Sequence, residues 1–519
     1  METQTLISLF TSTVERSPTS IALLEPGEKD AVVSLTYGEL AERVHRFTGY
    51  LQAQGAVKGQ RFLLWSSSSI NWMVAFLAVL HTGGVVVPLD VSSKEDFIAR
   101  IVETTGATHL ITTRKQYSAL QRSPGPLIDI DALPEGVYHA DALPALEPHD
   151  LAELVFTSGT TGVPKGVMLS HGNIASDADA ALADVPIRPD DRALSILPLS
   201  HMFELTIELA VFRCGASILY ARSLNPETLL KLLGTQGITC MVLVPQALQL
   251  FMNGIDRQVR AQHREKQFEL LLSMARWLPF GMRPLLFRPI HKRFGGRFRF
   301  FVSGGAYLPP KLAERWELMG IRILQGYGAT ECAPVVSVTP PSDHNFESIG
   351  KPLPGVEVRI AEDGELLVHG PNVALGYWQN PEATAAAFQD GWYHTGDLGY
   401  QDSQGNLYLK GRKKNLIVLS NGLNVYPEDI ENALLTNPAV KDAVIVGLTD
   451  DQGAPTVHGV LLLDDASQAK AIVQQTNKQL APHQQIRGFT IWPDADFPRT
   501  HTLKVKRPEV MERLQSLRK

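Results

Sequence analysis

Helical and strand patterns alternate along most of this chain, and that alternation constrains the fold more than any other feature of the sequence. Residues 37–51 carry apolar side chains at helical spacing, and residues 61–65 form a short run typical of a buried strand. A buried helical pattern at 71–81 and a strand pattern at 83–89 follow. Because helices that alternate with buried strands cover both faces of a parallel sheet, the sequence predicts an α/β fold with largely parallel sheets.

The later part of the chain departs from this alternation. Residues 355–369 carry two short strand patterns around a Glu-Asp-Gly turn, which predicts a β-hairpin. After a charged break at 411–415, an early proline and acidic residues open a helix at Pro427. Further patterns predict strands at 440–446 and 457–463 and a helix at 469–480. We expect a large N-terminal domain, 1–411, of mixed and parallel sheets with helices plus a β-rich subdomain, and a small α+β C-terminal domain, 412–519.

Composition and charge exclude several classes of protein. A hydrophobic fraction of 44% excludes a globally disordered chain, and a net charge of −6 argues against nucleic acid as a partner. The three cysteines, Cys214, Cys240 and Cys332, match no disulfide framework or zinc motif. The start of the chain does not resemble a signal peptide, and the longest apolar run, 72–80, is too short to cross a membrane. We therefore expect a soluble, cytoplasmic protein.

One stretch, residues 276–301, is basic and aromatic. It holds seven Arg or Lys residues and six phenylalanines, with no acidic residue. Such a stretch can lie peripherally on an anionic membrane surface. The other interpretation is a solvated basic loop followed by a buried strand at 298–302, and the sequence leaves both open.

The strongest chemical signal is the segment Thr157-Ser-Gly-Thr-Thr-Gly-Val-Pro-Lys-Gly166. Its four hydroxyl residues and three glycines offer side-chain O–H and open backbone N–H donors after a predicted strand. With Lys165 as a point charge, these donors suit a polyphosphate. The spacing of Gly159 and Lys165 differs from that of a Walker A loop.

A second segment, Gln325-Gly-Tyr-Gly-Ala-Thr-Glu331, ends in Glu where a dinucleotide fingerprint needs Gly. Thr330 and Glu331 are instead suited to a Mg²⁺-bound phosphate. Asp397, in a later segment, can accept two ribose hydroxyl groups, and the basic run at 498–507 can supply a mobile positive charge.

In this order, the motifs resemble those of the adenylate-forming superfamily of acyl-CoA synthetases, adenylation domains and luciferases. The resemblance covers nearly the whole length and is strongest to long-chain fatty acyl-CoA synthetases. That subgroup is indicated by residues 197–204, 301–306, 420–427 and 498–507.

The resemblance implies a fatty acid, ATP, Mg²⁺ and CoA as the molecules bound, and it implies the following site. Thr157, Ser158, Gly159, Thr160, Thr161 and Lys165 hold the β- and γ-phosphates and then pyrophosphate, and Mg²⁺ is bound by Glu331 and Thr160. Gly304, Gly305 and Ala306 line the adenine and acyl pocket. Gly326, Tyr327 and Gly328 belong to the nucleotide site, where Tyr327 stacks on adenine and Thr330 touches the α-phosphate. Asp397 and Arg412 bind ribose, and His201 lies near the acyl pocket, where it helps thiol attack.

The resemblance also implies a mobile C-terminal domain that pivots at Lys414, with Lys504 bridging the carboxylate and the α-phosphate. Leu503 stands where the family usually has Gly before that lysine. Two alternatives stay open: acyl carrier protein as the thiol acceptor, and an acid of another chain length. Amino-acid adenylation with Glu204 as an ammonium anchor is disfavoured by the aliphatic setting of residues 197–203. A nucleotide-binding membrane scaffold without catalysis is disfavoured because the site residues of the resemblance are retained together. A homodimer is possible.

Overall fold

The division of the chain into two units organises the fold. The structure, a computed structural model, describes residues 4–27, 31–121, 125–157, 164–223, 225–420, 423–437, 439–449, 454–499 and 505–518. The first unit comprises Met1–Glu357 and Val368–Tyr393, and the second comprises Val358–Leu367 and His394–Lys519. Position 412, where we predict a domain boundary, lies inside the second unit.

The first unit is built around a large sheet whose central strands are parallel. In spatial order its strands are Lys351–Pro352, Val335–Val338, Arg322–Gly328, Phe300–Ser303, Cys240–Leu243, Arg192–Ser195, Ser217–Tyr220, Ile21–Pro26 and Val32–Thr36. The strands from Arg322–Gly328 through Ile21–Pro26 run parallel, and the outer ones are antiparallel. Every residue of Cys240–Leu243 and Phe300–Ser303 is buried, as in sheets covered by helices on both faces.

A second sheet of the same unit carries the approach to the predicted phosphate loop. Its strands, in spatial order, are Leu127–Asp129, His109–Thr112, Arg61–Trp65, Val85–Leu89, Leu151–Thr157 and Lys165–Ser170. They run parallel except for the last pair, in which Thr157 lies opposite Lys165. Within Leu151–Thr157, Glu153 is fully buried, and neither of its carboxylate oxygens has a hydrogen-bond partner among the described residues.

Helices cover these sheets. Those of the first unit are Leu6–Arg16, Tyr37–Ala53, Ile70–His81, Glu95–Thr105, Arg114–Ser118, His171–Ala181, Met202–Arg213, Pro226–Thr235, Pro245–Ala261, Glu265–Ala275, Arg283–Leu286, Arg288–Arg293, Pro310–Leu318 and Pro381–Ala387. The predicted helix at 37–51 is confirmed; it begins after a capping box formed by Thr36 and Glu39. The strand predicted at 83–89 begins at Val85, because Gly83 adopts a left-handed turn conformation with φ of 74°.

The predicted hairpin at 355–369 is also confirmed. Strands Glu357–Ile360 and Glu365–His369 flank a turn in which Gly364 N–H donates to the Ala361 carbonyl. The division between the units runs through this region, where the further strands are Phe388–Gln389, Trp392–Gln401 and Leu407–Arg412.

The remainder of the second unit is a small α+β structure. Its sheet contains Val440–Thr449, Pro455–Leu463 and Gly488–Ile491, its short strands are Ile417–Val418 and Asn424–Val425, and its helices are Pro427–Leu435, Ala469–Asn477 and Arg507–Arg518. The helix predicted at 469–480 ends at Asn477, whose side-chain amide binds the Ile486 backbone. A large α/β part with a small α+β part is the predicted fold class, and the structure confirms it.

The basic stretch at 276–301 holds short helices where one interpretation predicts a solvated loop, and it ends in the buried strand that this interpretation predicts. It forms the short helices Arg283–Leu286 and Arg288–Arg293 before the strand Phe300–Ser303, and it is not a loop. Phe287, Phe294, Phe298, Phe300 and Phe301 lie in the core, so these phenylalanines do not face solvent. Among the residues that the structure describes, no helix has the length and apolar character needed to span a membrane.

Candidate active site

Several predicted site motifs meet at one edge of the large sheet. Strands Phe300–Ser303 and Arg322–Gly328 are parallel neighbours, so the segments that follow them leave the same edge. A Cβ added to Gly304 would lie 3.0 Å from Phe203 Cζ and 3.1 Å from the Gly326 carbonyl oxygen. His201 directly precedes the helix Met202–Arg213, to which Phe203 belongs. The carboxyl edge of an open parallel sheet is where such folds bind ligands.

Gly328 is required by the packing of the chain itself. A Cβ added there would lie 1.8 Å from the Pro334 carbonyl oxygen, which accepts a hydrogen bond from the Ala329 N–H at 2.9 Å. A contact this close admits no side chain. Gly326 has more room, since the nearest atom to its added Cβ is 3.8 Å away.

Glu331 is held at this edge by backbone and side-chain contacts. It lies in the single-turn helix Thr330–Cys332, and its carbonyl oxygen accepts the Ala374 N–H at 2.8 Å. The Tyr377 hydroxyl donates to Glu331 Oε1 at 2.9 Å. The helix Met202–Arg213 contributes too, because Thr206 Oγ1 donates to the Ala333 carbonyl at 2.8 Å.

Tyr377 also contacts Lys165, the basic residue of the phosphate loop. Lys165 Nζ lies 4.8 Å from the centre of the Tyr377 ring, a cation–π contact. Backbone hydrogen bonds align the segment that follows Lys165 with the segment around Tyr377. Met168 N–H donates to the Gly376 carbonyl, and Trp378 N–H donates to the Gly166 carbonyl. Tyr377 therefore joins the predicted phosphate-binding lysine to the predicted metal-binding carboxylate.

The ionisation of Tyr377 favours this role. Burial, together with the negative charge of Glu331, raises the pKa of the Tyr377 phenol, so the hydroxyl keeps its proton at neutral pH and donates it. Burial and the negative charge of Glu331 raise the pKa of the nearby Tyr393 as well. Neither tyrosine is predicted as a site residue from the sequence, because Tyr377 lies 46 residues from Glu331 and belongs to none of the motifs.

A buried carboxyl pair lies behind His201. Glu204 and Glu208 are fully buried on one helix, and the Tyr220 hydroxyl donates to Glu208 Oε2 at 2.9 Å. Burial raises the pKa of Glu208 to about 8, and burial together with the charge of Glu208 raises the pKa of Glu204. Full burial disfavours the charged carboxylate that an ammonium anchor needs, so the geometry disfavours amino-acid adenylation.

The second unit holds the predicted ribose-binding pair. Asp397 is 4% exposed and lies opposite Arg412 on the neighbouring strand. Arg412 Nε contacts Asp397 Oδ1 at 2.7 Å, and its Nη2 contacts Oδ2 at 3.4 Å. Lys414 follows in the one-turn helix Lys413–Asn415, where partial burial and the charge of Arg412 lower its pKa.

Some predicted site residues, Ser158, Gly159, Thr160, Thr161 and Lys504, lie outside the described residues. The chain on either side of the Lys504 segment is well anchored. Arg499 and Val505 form a β-bridge, and the Arg499 guanidinium pairs with Asp442 at 2.6 Å. Arg507 pairs with Glu431 at 2.6 Å.

Comparison with known proteins identifies the family. A family model described as AMP-binding enzyme matches residues 10–378, and one described as AMP-binding enzyme C-terminal domain matches residues 429–504. The chain belongs to the AMP-binding enzyme family. The predicted superfamily is thereby confirmed.

Individual proteins similar to this AMP-binding enzyme match it over most of its length. Long-chain-fatty-acid–CoA ligase FadD15 of Mycobacterium bovis is 29% identical, with 93% of this chain and 91% of the relative covered. The long-chain-fatty-acid–CoA ligase of Escherichia coli O157:H7 is also 29% identical, with 98% and 94% covered. A structure of o-succinylbenzoate coenzyme A synthetase from Bacillus subtilis with ATP and magnesium ion is 26% identical, with 97% and 99% covered and a TM-score of 0.78.

Within this AMP-binding enzyme, Glu331 is the residue best suited to hold a metal ion. It offers a hard carboxylate oxygen, half-buried beside Thr330, and the Tyr377 hydrogen bond fixes its orientation. Mg²⁺ is commonly bound by one or two carboxylates together with substrate phosphates. Over the described ranges, no group of three or more His, Cys, Asp or Glu side chains is arranged to hold a metal ion.

Proposed function

We propose that this chain is an acid–thiol ligase that converts a long-chain fatty acid to acyl-AMP, with release of pyrophosphate from ATP, and then transfers the acyl group to the thiol of CoA. The observation that carries the proposal is the contact of Tyr377 with both Lys165 and Glu331 in a chain of the AMP-binding enzyme family. The two relatives, both long-chain-fatty-acid–CoA ligases, support the choice of acid and thiol.

The first half-reaction replaces the carboxylate oxygen of the fatty acid, a poor leaving group, by AMP, a good one. A carboxylate oxygen attacks the α-phosphorus of ATP, and the bond from that phosphorus to the bridging oxygen of the β-phosphate breaks, so pyrophosphate leaves. Both reactants are anions. We assign Lys165 and residues 157–161 to the β- and γ-phosphates and Lys504 to the carboxylate and α-phosphate, where their charges stabilise the transition state. Mg²⁺, bound by Glu331 and Thr160, would add positive charge at the phosphate oxygens.

The remaining site residues orient the nucleotide and the acid. We assign ribose binding to Asp397 and Arg412 and the α-phosphate contact to Thr330. Backbone at 304–306 and 326–328, with the Tyr327 ring, would line the adenine and acyl pocket, and the tight approach of Gly304 to Phe203 supports that placement. His201, at the start of the helix that carries Phe203, is assigned to the acyl side.

The second half-reaction needs a thiol in place of Lys504. The sulfur attacks the acyl carbonyl carbon, and AMP leaves with the bridging oxygen. We propose that residues 412–519 act as a mobile domain that pivots at Lys414, which removes Lys504 and presents a thiol-binding face.

A cleft in the second unit is suited to the phosphate end of CoA. It measures about 630 Å³ and is lined by the cationic or basic residues Arg487 and His483, with apolar surface from Leu419, Leu423 and Pro455. An Arg487→Glu variant should raise the KM for CoA tenfold or more without changing pyrophosphate release. Lys470→Glu, an exposed charge reversal in the same unit but outside the cleft, is the matched control. An equal effect of the two variants on the KM for CoA would remove the cleft from the mechanism.

The role of Lys504 is tested by measuring the two half-reactions separately. Lys504→Ala should abolish pyrophosphate release from ATP and fatty acid, yet retain thioester formation from supplied acyl-AMP. Lys506→Ala is the matched control, because Lys506 lies two residues away and pairs with Glu509 at the surface. If Lys504→Ala reduces both half-reactions equally, the assignment is wrong.

The acid and the acceptor are determined by one screen. Pyrophosphate release is measured across acids of graded chain length, with CoA or with acyl carrier protein as acceptor. The proposal expects the highest kcat/KM with long-chain acids and thioester formation on CoA. Turnover only with the carrier protein would contradict the proposal of CoA as acceptor. Turnover only with short acids would contradict the proposal of a long-chain substrate. Homodimerisation, also predicted, is measured by light scattering.

A further inference from the structure

The helix His171–Ala181 continues without a loop from the strand that begins at Lys165. In its first turn, the side-chain amide of Asn173 donates hydrogen bonds to the Pro371 and Val373 carbonyls at 2.7 and 2.9 Å. These acceptors lie 198 and 200 residues further along the chain. The helix is therefore attached both to the strand of Lys165 and to this later segment.

Asp177 lies one turn further along the same helix and is fully buried. Its Oδ2 accepts the Val335 N–H at 3.0 Å, and its Oδ1 accepts a hydrogen bond from the side-chain amide of Asn372 at 3.4 Å. The Asn372 amide also donates to the Val335 carbonyl at 2.8 Å. Asp177, Asn372 and the backbone of Val335 thus form one buried set of hydrogen bonds within the first unit, which we call the Asp177 network.

The Asp177 network joins the two segments that hold Glu331. One segment carries Glu331 itself in a single helical turn and then enters the strand that begins at Val335. The other segment contains Asn372 and, two residues later, Ala374, whose N–H donates to the Glu331 carbonyl at 2.8 Å. The position of Glu331 therefore depends on how these segments are aligned, and Asp177 bonds to both.

The chemistry of Asp177 fits alignment better than it fits stability. No cationic side chain of the described residues pairs with this carboxyl group. Burial raises the pKa of Asp177 well above its usual range, and the hydrogen bonds from Val335 and Asn372 act in the opposite direction. An apolar side chain would fill the same space at a lower cost in free energy. A carboxyl group adds two acceptors with fixed directions, which hold both donors in one arrangement.

We propose that Asp177 is a positioning residue for Glu331. It acts through Val335 and Asn372, which it holds in register with the helix that follows the strand of Lys165. The inference rests on the proposed function, in which Glu331 binds Mg²⁺ beside the phosphates of ATP. Without the Asp177 network, the Glu331 carboxylate loses its fixed orientation toward that metal ion, so the affinity for the metal falls while the affinity for the fatty acid does not.

Hydrogen–deuterium exchange of the metal-free protein tests the alignment directly. In Asp177→Ala, the peptides that contain Glu331 and Ala374 should exchange about tenfold faster than in the wild type, because their hydrogen-bonded amides open more often. Asp177→Asn should give an intermediate rate. Its amide oxygen can still accept the Val335 N–H, but its amide nitrogen cannot accept a hydrogen bond from Asn372.

The matched control for this experiment is Asp191→Ala. Asp191 is 3% exposed in the same unit, and its carboxylate accepts hydrogen bonds from the Arg299 guanidinium and, at 2.7 Å, from the Arg188 N–H. It directly precedes the strand Arg192–Ser195 and so lies at the amino ends of the parallel strands, opposite the edge that carries Glu331. This variant removes a buried carboxylate but should leave exchange around Glu331 at the wild-type rate.

Metal affinity is measured as Mn²⁺ binding in the presence of ATP, by electron paramagnetic resonance. Asp177→Ala should raise the Kd for Mn²⁺ about tenfold. Pyrophosphate release should need about tenfold more Mg²⁺ for its half-maximal rate, with the KM for the fatty acid unchanged. A lower fraction of folded protein changes none of these values. Asn372→Ala should shift them in the same direction, and it decides the question if Asp177→Ala does not fold.

Three outcomes would overturn the proposal: wild-type exchange around Glu331 in Asp177→Ala, wild-type affinity for Mn²⁺ in that variant, or an equal change of either value in Asp191→Ala. A wild-type protein that binds Mn²⁺ with ATP but releases no pyrophosphate with any fatty acid would instead contradict the proposed function. In that case exchange and Mn²⁺ affinity still decide whether Asp177 positions Glu331.

Discussion

The Tyr377 hydroxyl is predicted to position Glu331, the carboxylate that we propose binds Mg²⁺. Tyr377→Phe removes the hydrogen bond to Glu331 Oε1 but keeps the ring that contacts Lys165 and packs against Phe388. A hydrogen bond to a charged acceptor contributes roughly 1.5–3 kcal/mol. If that energy orients Glu331 only when the phosphates are bound with metal, the rate of adenylation should fall about 10- to 100-fold, since 1.4 kcal/mol corresponds to a factor of ten.

The assay is pyrophosphate release at saturating fatty acid while Mg²⁺ is varied at fixed ATP. We expect Tyr377→Phe to lower kcat and to raise the Mg²⁺ concentration at half-maximal rate, whereas the KM for the acid stays near the wild-type value. Thioester formation from supplied acyl-AMP should be little affected, because that step needs no pyrophosphate to leave. A role in stability alone would not move the Mg²⁺ dependence.

The matched control is Tyr37→Phe. Tyr37 is fully buried in the same unit, and its hydroxyl donates to the Ala216 carbonyl at 2.6 Å, away from every predicted site residue. Both variants therefore lose one buried phenol hydrogen bond. If the two variants show the same Mg²⁺ dependence and the same kcat, Tyr377 has no positioning role and the reasoning fails.

Further outcomes follow from buried and paired charges. Burial raises the pKa of Glu153 to about 8 from a usual value of 4.5, so the folded chain binds this proton more tightly and stability is lost as pH rises from about 4.5 to 8. Between pH 5 and pH 8 the loss through this group is roughly 3–4 kcal/mol. Glu153→Gln should therefore flatten the dependence of Tm on pH, and an unchanged slope is the contrary result. Asp397→Asn should raise the KM for ATP about tenfold by weakening ribose binding, whereas an unchanged value would remove Asp397 from the site. Arg507→Ala leaves the partly buried Glu431 without its guanidinium partner. Limited proteolysis should therefore release the helix Arg507–Arg518 sooner in this variant than in Arg513→Ala, because the Arg513 side chain is half-exposed.

Local patterns in the sequence were sufficient to predict the helices, strands and motifs around the site. The strand Arg61–Trp65 and the helix Ile70–His81 are close to their predicted bounds, because their apolar spacing extends over consecutive residues. The convergence of the segments after Phe300–Ser303 and Arg322–Gly328 follows from their being parallel neighbours. These relations depend on short-range order along the chain.

Contacts between distant segments could not be predicted from the sequence. Nothing in the spacing of Glu331 and Tyr377 indicates that the two side chains touch. In the basic-aromatic stretch, the spacing of the phenylalanines cannot show which rings are covered by another layer of the fold. Phe294 lies in the core, whereas Trp277 is exposed. Likewise the sequence offers Glu204 as a candidate ammonium anchor, and its burial beside Glu208 disfavours that role.

The close approach of Gly328 to the Pro334 carbonyl has a consequence for interpreting mutational scans. Every missense change at Gly328 places an atom where another already lies, so activity will fall to background there as completely as at a residue that performs chemistry. Activity scores alone will merge the two kinds of position. Parallel scoring of protein abundance will separate them, because substitutions at Gly328 reduce the amount of folded enzyme while conservative changes at Glu331 leave it intact.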